Sequence, residues 1–342
     1  MNMKRLLWIL LLGLAILALL AICNWRTVTL TWYNLTVPQV RLPESDDWSG
    51  GEIFLKVPYA AESEAEYLDL YVPETQGEKP RLLVIIHGGG FIAGDSQTKQ
   101  ARLMLRYFRD RGYACATVNY RLAQEAAFPA ALLDCKAAIR FLRANAERYG
   151  YDAEKIVLFG ESAGGYLASM CAFTTDEEFG DLPFLGQTGE SAPSAMVDVL
   201  LDYYPYLNWY GDRDDFRTIG YARPFADLAN SWMKGNTGDF SDPGSYWLRR
   251  EVGELSPEEL ETIDPLTYLE KNAGELTKLS VYLVHGDADI TVPIPSSDRL
   301  AEACRAALDG RIVYRVLPHM GHASDPLYSD EVLGEIARWL ED

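Results

Sequence analysis

Gly160-Glu161-Ser162-Ala163-Gly164-Gly165 follows the apolar run Lys155–Phe159 and opens a helical pattern over Ser162–Phe173. A serine carried on a sharp strand-to-helix turn sits in a strained backbone conformation. Its neighbours two residues away must then be nearly free of side chain. Gly160 and Gly164 meet that demand. The G-x-S-x-G string alone is a weak signal, but a strand before it and a helix after it make Ser162 a candidate nucleophile.

Working outward, His87-Gly88-Gly89-Gly90-Phe91 follows the β-rich run Arg81–Ile86. Three glycines after a strand suit a loop that substrate must approach closely. The backbone N–H groups of Gly89 and Gly90, with that of Ala163 after the nucleophile, are the expected donors of an oxyanion hole. His87 is read as structural.

A serine hydroxyl needs a base, and the base needs an orienting carboxylate. The chain holds four histidines. His319 and His322 lie in Pro318-His319-Met320-Gly321-His322, after the last strand pattern, and His322 is preferred as the base. Asp289, in His285-Gly286-Asp287-Ala288-Asp289-Ile290-Thr291-Val292-Pro293, is preferred to Asp287 as the acid. The order Ser…Asp…His differs from those of chymotrypsin and subtilisin.

Further strand patterns are Glu52–Tyr59, Ala65–Val72, Tyr113–Asn119, Met196–Tyr204, Leu279–His285 and Arg311–Leu317. Helical patterns cover Gln97–Arg111, Ala130–Tyr149, Pro295–Ala307 and Tyr328–Leu340. Strands alternating with helices of this length imply right-handed crossovers and a mostly parallel sheet with helices on both faces. The stretch of about 203–274 breaks the rhythm with Tyr203, Tyr204, Tyr206, Trp209, Tyr210, Phe225, Trp232 and Trp247. It reads as an inserted cap whose aromatics wall a substrate pocket, or as a peripheral helical excursion with its own small core.

Lys4 and Arg5 precede an apolar run from Leu6 to Cys23. At about 1.5 Å per residue this run can span most of a bilayer core. No A-x-A cleavage site lies near Cys23-Asn24-Trp25-Arg26, and Ile22 is bulky for a lipoprotein cleavage box. Residues 1–25 are therefore expected to be an uncleaved signal anchor and 26–51 a tether to a domain over 52–342. Lys4 and Arg5 would keep the N-terminus inside and the domain extracytoplasmic; secretion after signal-peptide cleavage is the alternative. Cys115, Cys135, Cys171 and Cys304 read as small buried hydrophobes.

The chain has 342 residues, 48% of them hydrophobic and 24% charged, as a globular protein with a large core requires. Fifty acidic against 31 basic residues give a net charge of −19, which excludes a nucleic-acid-binding footprint.

HGGGF, Asn119-Tyr120-Arg121-Leu122, GESAGG, HGDADITVP and the final Gly321-His322 together resemble the esterase/lipase branch of the α/β-hydrolases. Phe128-Pro129-Ala130-Ala131 followed by Asp134 adds to the match. Within that branch the chain is most similar to the family of feruloyl and acetylxylan esterases, neighbours of the hormone-sensitive-lipase-like enzymes. The resemblance covers roughly Glu52 to Leu340. It implies an α/β-hydrolase fold and a serine carboxylesterase that cleaves short-chain acyl esters, acylated carbohydrate among them, with no metal and no cofactor. The rival activities are a peptidase, amidase or lipase on the same triad. A non-catalytic binding protein on this scaffold is a rival of another class, disfavoured because Ser162, Asp289 and His322 are all present.

Overall fold

The computed structural model describes residues 42, 48–179, 184–185, 192–207, 240 and 243–341. The apolar run Leu6–Cys23 lies outside them. No helix among the described residues is long and apolar enough to cross a membrane.

Eight strands form one sheet: β1 (Gly51–Pro58), β2 (Tyr67–Pro73), β3 (Arg81–Ile86), β4 (Ala114–Val118), β5 (Asp152–Glu161), β6 (Val199–Tyr203), β7 (Ser280–Gly286) and β8 (Ile312–Leu317). Among the described residues the helices are α1 (Lys99–Arg109), α2 (Ala130–Ala144), α3 (Ala146–Tyr149), α4 (Ala163–Phe173), α5 (Pro243–Leu248), α6 (Pro257–Glu261), α7 (Pro265–Asn272), α8 (Pro295–Ala307) and α9 (Asp330–Glu341). The strand order is β1-β2-β4-β3-β5-β6-β7-β8. β1 with β2 and β2 with β4 are antiparallel, and every other pairing is parallel.

The reason for the expected layering is visible in β3. Its apolar run hides a period of two: Leu82, Val84 and Ile86 pack with residues of α2, α4, α7 and α8. Leu83 and Ile85 pack with residues of α1 and α9 on the other face. A strand covered on both sides must be apolar throughout. From β3 the chain runs to β4 on one side and then to β5 on the other. Such a switch in strand order leaves a crevice beyond the carboxyl ends of β3 and β5, where open α/β sheets place their sites.

Two of the differences at helix ends have a visible cause. Ala130–Tyr149 breaks at Asn145, whose amide side chain donates to the Phe141 carbonyl at 2.8 Å and so caps the first segment. The last helix starts at Asp330 instead of Tyr328, because Asp325–Tyr328 form a 3-10 turn and Ser329 is extended.

The Arg121 of the Asn119–Leu122 motif grips Asp134 on α2 through Nε and Nη2, at 3.0 and 2.6 Å, and also reaches Glu62 at 2.9 Å. Burial pushes the Asp134 carboxyl up to about 6 against the pull of Arg121. Both motifs thus fasten the loop after β4 to α2. Cys115, Cys135, Cys171 and Cys304 are buried free thiols.

Within the predicted 203–274 insert, Trp209, Tyr210, Phe225 and Trp232 lie outside the described residues. Where the aromatics are described, several of them fill the core instead of walling a pocket. Tyr203, Tyr204 and Trp247 are fully buried. The Trp247 ring stacks on Phe91 of the HGGGF motif, with centroids 4.2 Å apart. The part over 243–274 is bonded to α4: Tyr166 donates to the Ile263 carbonyl, and Asn272 to that of Phe173. Aromatic density here reflects packing against the loop after β3 and against α4.

Candidate active site

Ser162 lies between β5 and α4 with φ 56° and ψ −120°, a conformation that non-glycine residues rarely adopt. The turn is that tight because its surroundings leave no room for side chains. A Cβ on Gly160 would stand 2.3 Å from the Gly164 carbonyl oxygen. One on Gly164 would stand 2.3 Å from that of His87. The start of α4 is therefore in direct backbone contact with the end of β3. The carbonyl of Tyr203 on β6 accepts the Ser162 N–H at 2.9 Å and anchors the turn.

His322 and Asp289 come from the loops after β8 and β7. Those loops are stitched together: Ala288 N–H donates to the Met320 carbonyl at 3.0 Å, and His319 N–H to Asp287 Oδ1 at 2.6 Å. This stitching sets the imidazole over the serine. His322 Nε2 is 3.0 Å from Ser162 Oγ, and His322 Nδ1 is 2.7 Å from Asp289 Oδ2. The two residues ranked second, Asp287 and His319, are bonded to each other through that loop contact.

Asp289 is buried, and its other oxygen, Oδ1, accepts the N–H groups of Thr291 and Val292, both at 2.8 Å. Those two bonds explain the spacing of the D-x-x-V-P pattern. His285 adds a further contact, its Nε2 lying 3.4 Å from Asp289 Oδ2. Burial pushes the Asp289 carboxyl up, but its interactions with His322 and with His285 prevail and hold it well below the usual carboxylate range. On His322 burial acts downward, and the Asp289 carboxylate prevails and raises the imidazole above its ordinary value. A carboxylate on Nδ1 fixes the proton there and leaves Nε2 free to accept.

At the end of β3, Gly89 has φ +120°, and a Cβ on it would stand 1.9 Å from the Ala93 carbonyl oxygen, so only glycine fits. The Gly89 carbonyl instead accepts the N–H groups of Ile92 and Ala93, at 3.2 and 3.0 Å. Among the described residues, the N–H groups of Gly89, Gly90 and Ala163 have no hydrogen-bond acceptor. His87 is buried and stacked on Tyr120, with centroids 4.3 Å apart, and burial lowers its imidazole to about 4. It is a neutral packing residue of the loop.

Glu161 and His285 carried no predicted role, and Tyr204 was expected only as one of the insert's aromatics. Glu161 is buried one residue before Ser162, and a charged residue at a position forced into the core was the available signal.

The sequence model of the family described as BD-FAE matches residues 68–304, well over half of the 342 residues. The chain belongs to the BD-FAE family. The match runs from β2 into α8, so it includes the loop after β3, the Ser162 turn and the Asp289 loop. The chain is also similar to Esterase LipC of Mycobacterium tuberculosis, at 26% identity over 264 residues covering 77% of this chain and 58% of LipC. It spans less than two thirds of the length of that relative. Among solved structures, a truncated carbohydrate esterase from gut microbiota superposes with a TM-score of 0.65 at 23% identity, covering 87% of this chain and 98% of that one. The butyrate-bound Est2 esterase of Thermogutta terrifontis gives 0.60 at 23% identity, covering 88% and 96%. At such identities the structural likeness shows the fold alone. The fold is that of the α/β-hydrolases, in their esterase/lipase branch.

Proposed function

We propose that this protein is a serine carboxylesterase for short-chain acyl esters, with Ser162 as nucleophile, His322 as base and Asp289 as orienting acid. The observation that carries this reading is the continuous hydrogen-bonded line from Ser162 Oγ through His322 to Asp289 Oδ2. His322 Nε2 takes the hydroxyl proton as Oγ bonds to the ester carbonyl carbon, and the carbonyl π electrons move onto oxygen. The N–H groups of Gly89, Gly90 and Ala163 receive that oxyanion. Collapse expels the alkoxide, which leaves as alcohol with the proton from His322. Water then attacks the acyl-enzyme by the same route, giving the carboxylic acid and restoring Ser162. Asp289 keeps Nδ1 protonated and stabilises the imidazolium in both halves.

Acylated carbohydrate is the proposed substrate class. It draws support from the family membership and from the carbohydrate esterase and butyrate-bound esterase that share the fold. An acyl-chain series tests it. Acetate and butyrate p-nitrophenyl esters and an acetylated oligosaccharide should give higher kcat/KM than the octanoate, with the Ser162→Ala variant as blank. Preference for octanoate would move the enzyme to hydrophobic esters.

Residues 1–25 are proposed to anchor the domain on the extracytoplasmic side, on the strength of Lys4, Arg5 and the apolar run Leu6–Cys23. Alkaline extraction should leave the full chain in the membrane pellet and release a chain starting near Asp46. Release of both would defeat the anchor.

A further inference from the structure

Glu161 is buried, with 5% of its surface exposed, and a buried carboxylate is costly unless its oxygens are met. Both are. Oε1 accepts the Gly88 N–H at 2.9 Å, and Oε2 accepts the Tyr204 hydroxyl at 3.0 Å. The Tyr204 hydroxyl in turn lies 2.5 Å from that of Tyr328, in the 3-10 turn shortly after His322. The Tyr204 ring stands edge-on to the His322 imidazole, with centroids 4.7 Å apart. The fit leaves no slack, since a Cβ on Gly88 would come within 2.7 Å of Glu161 Oε1.

We propose that Glu161 is a positioning residue that locks the Gly88–Gly90 loop onto the nucleophile turn, and that Tyr204 and Tyr328 carry the same tie to the segment bearing His322. The inference rests on the triad reading above. Gly88 directly precedes the two glycines whose amides would receive the oxyanion, so its anchor sets where they lie relative to Ser162. Donors of this kind act only when held in place beforehand, and a misplacement of about 1 Å can cost on the order of 10²-fold in rate.

The carboxylate has a second consequence. The groups facing His322 are Asp289, Glu161 and Tyr204. Those facing Glu161 are the Gly88 amide, Tyr204, Tyr120, Tyr328 and His322. Burial keeps the hydroxyls of Tyr120, Tyr204 and Tyr328 protonated. The carboxylates of Asp289 and, to a lesser degree, Glu161 both raise the proton affinity of the imidazole. Burial raises the Glu161 carboxyl itself, and the Gly88 N–H and the His322 charge oppose that rise.

Glu161→Gln keeps the size and one acceptor oxygen while removing the charge. Its kcat should fall about tenfold or more with KM little changed, and the acid limb of its kcat/KM profile should move to lower pH. A purely space-filling glutamate would move neither. Tyr204→Phe deletes one donor to Glu161 and keeps the ring on His322, so it serves if Glu161→Gln does not fold; it too should lower kcat at constant KM. Wild-type kcat and acid limb in the folded variants would overturn the inference. Activity surviving in Ser162→Ala would instead overturn the triad reading beneath it, so the two failures are distinguishable.

Discussion

Ser162→Ala is expected to lower kcat by about 10⁶, the cost typical of removing the nucleophile from such a triad. His322 then has no hydroxyl to deprotonate, and no acyl-enzyme forms. The residual rate should still exceed the uncatalysed one by about 10³, because the N–H groups of Gly89, Gly90 and Ala163 remain to bind an oxyanion formed by water attack. Stability should change little or rise. The φ of 56° at this position is strained for any side chain, and alanine also removes a polar group from a site that is 8% exposed. Covalent labelling by a fluorophosphonate, followed by mass spectrometry of the 155–173 region, checks the chemistry directly. The wild type should carry one adduct on Ser162 and the variant none. A labelled variant, or one retaining a tenth of the wild-type kcat, would remove Ser162 from the mechanism.

Much of this arrangement was legible because it is written in short local patterns. Gly160 and Gly164 flank Ser162 for a steric reason that shows in sequence: each sits where a Cβ would strike a carbonyl oxygen. The sheet was legible from β3 to β7 because doubly covered strands are apolar runs, and each pattern falls within a few residues of the observed strand. The Asp289 loop was legible from its spacing, which the Thr291 and Val292 amides impose.

Long-range packing was not legible. Nothing local distinguishes Trp247, which stacks on Phe91 across more than 150 residues of chain, from an aromatic that faces substrate. Tyr204 reads as one of a cluster of tyrosines until the fold brings Glu161 under its hydroxyl and His322 against its ring. The break between α2 and α3 at Asn145 was missed because the apolar period continues through it, while the Asn145 side chain bonds back to the Phe141 carbonyl and closes the first helix. In each case the deciding contact lies outside the window in which periodicity is read.

Asp289→Asn should lower kcat by about 10⁴ at neutral pH while leaving the fold intact, and the local hydrogen bonds dictate the reason. Oδ1 accepts two backbone N–H groups, from Thr291 and Val292, so the single oxygen of the introduced amide is drawn to that side. Its NH₂ then faces His322 Nδ1, which must accept instead of donate. The remaining ring proton moves to Nε2 and points at Ser162 Oγ, so the imidazole is held in the tautomer that cannot act as base. The loss of charge acts in the same direction. His322 is raised above its ordinary value because the Asp289 carboxylate outweighs burial. Activity needs the neutral ring, so the wild-type acid limb should lie above about 6.5, the ordinary histidine value, with rate lost as pH falls through it. In Asp289→Asn the imidazolium loses its partner, and the acid limb should shift to lower pH even as the plateau collapses. Steady-state kinetics from pH 4 to 10 on p-nitrophenyl acetate, read beside an unfolding curve, separates the two effects. A loss below tenfold with an unmoved limb would mean that His322 takes its orientation from elsewhere, and that Asp289 serves chiefly to hold the loop after β7.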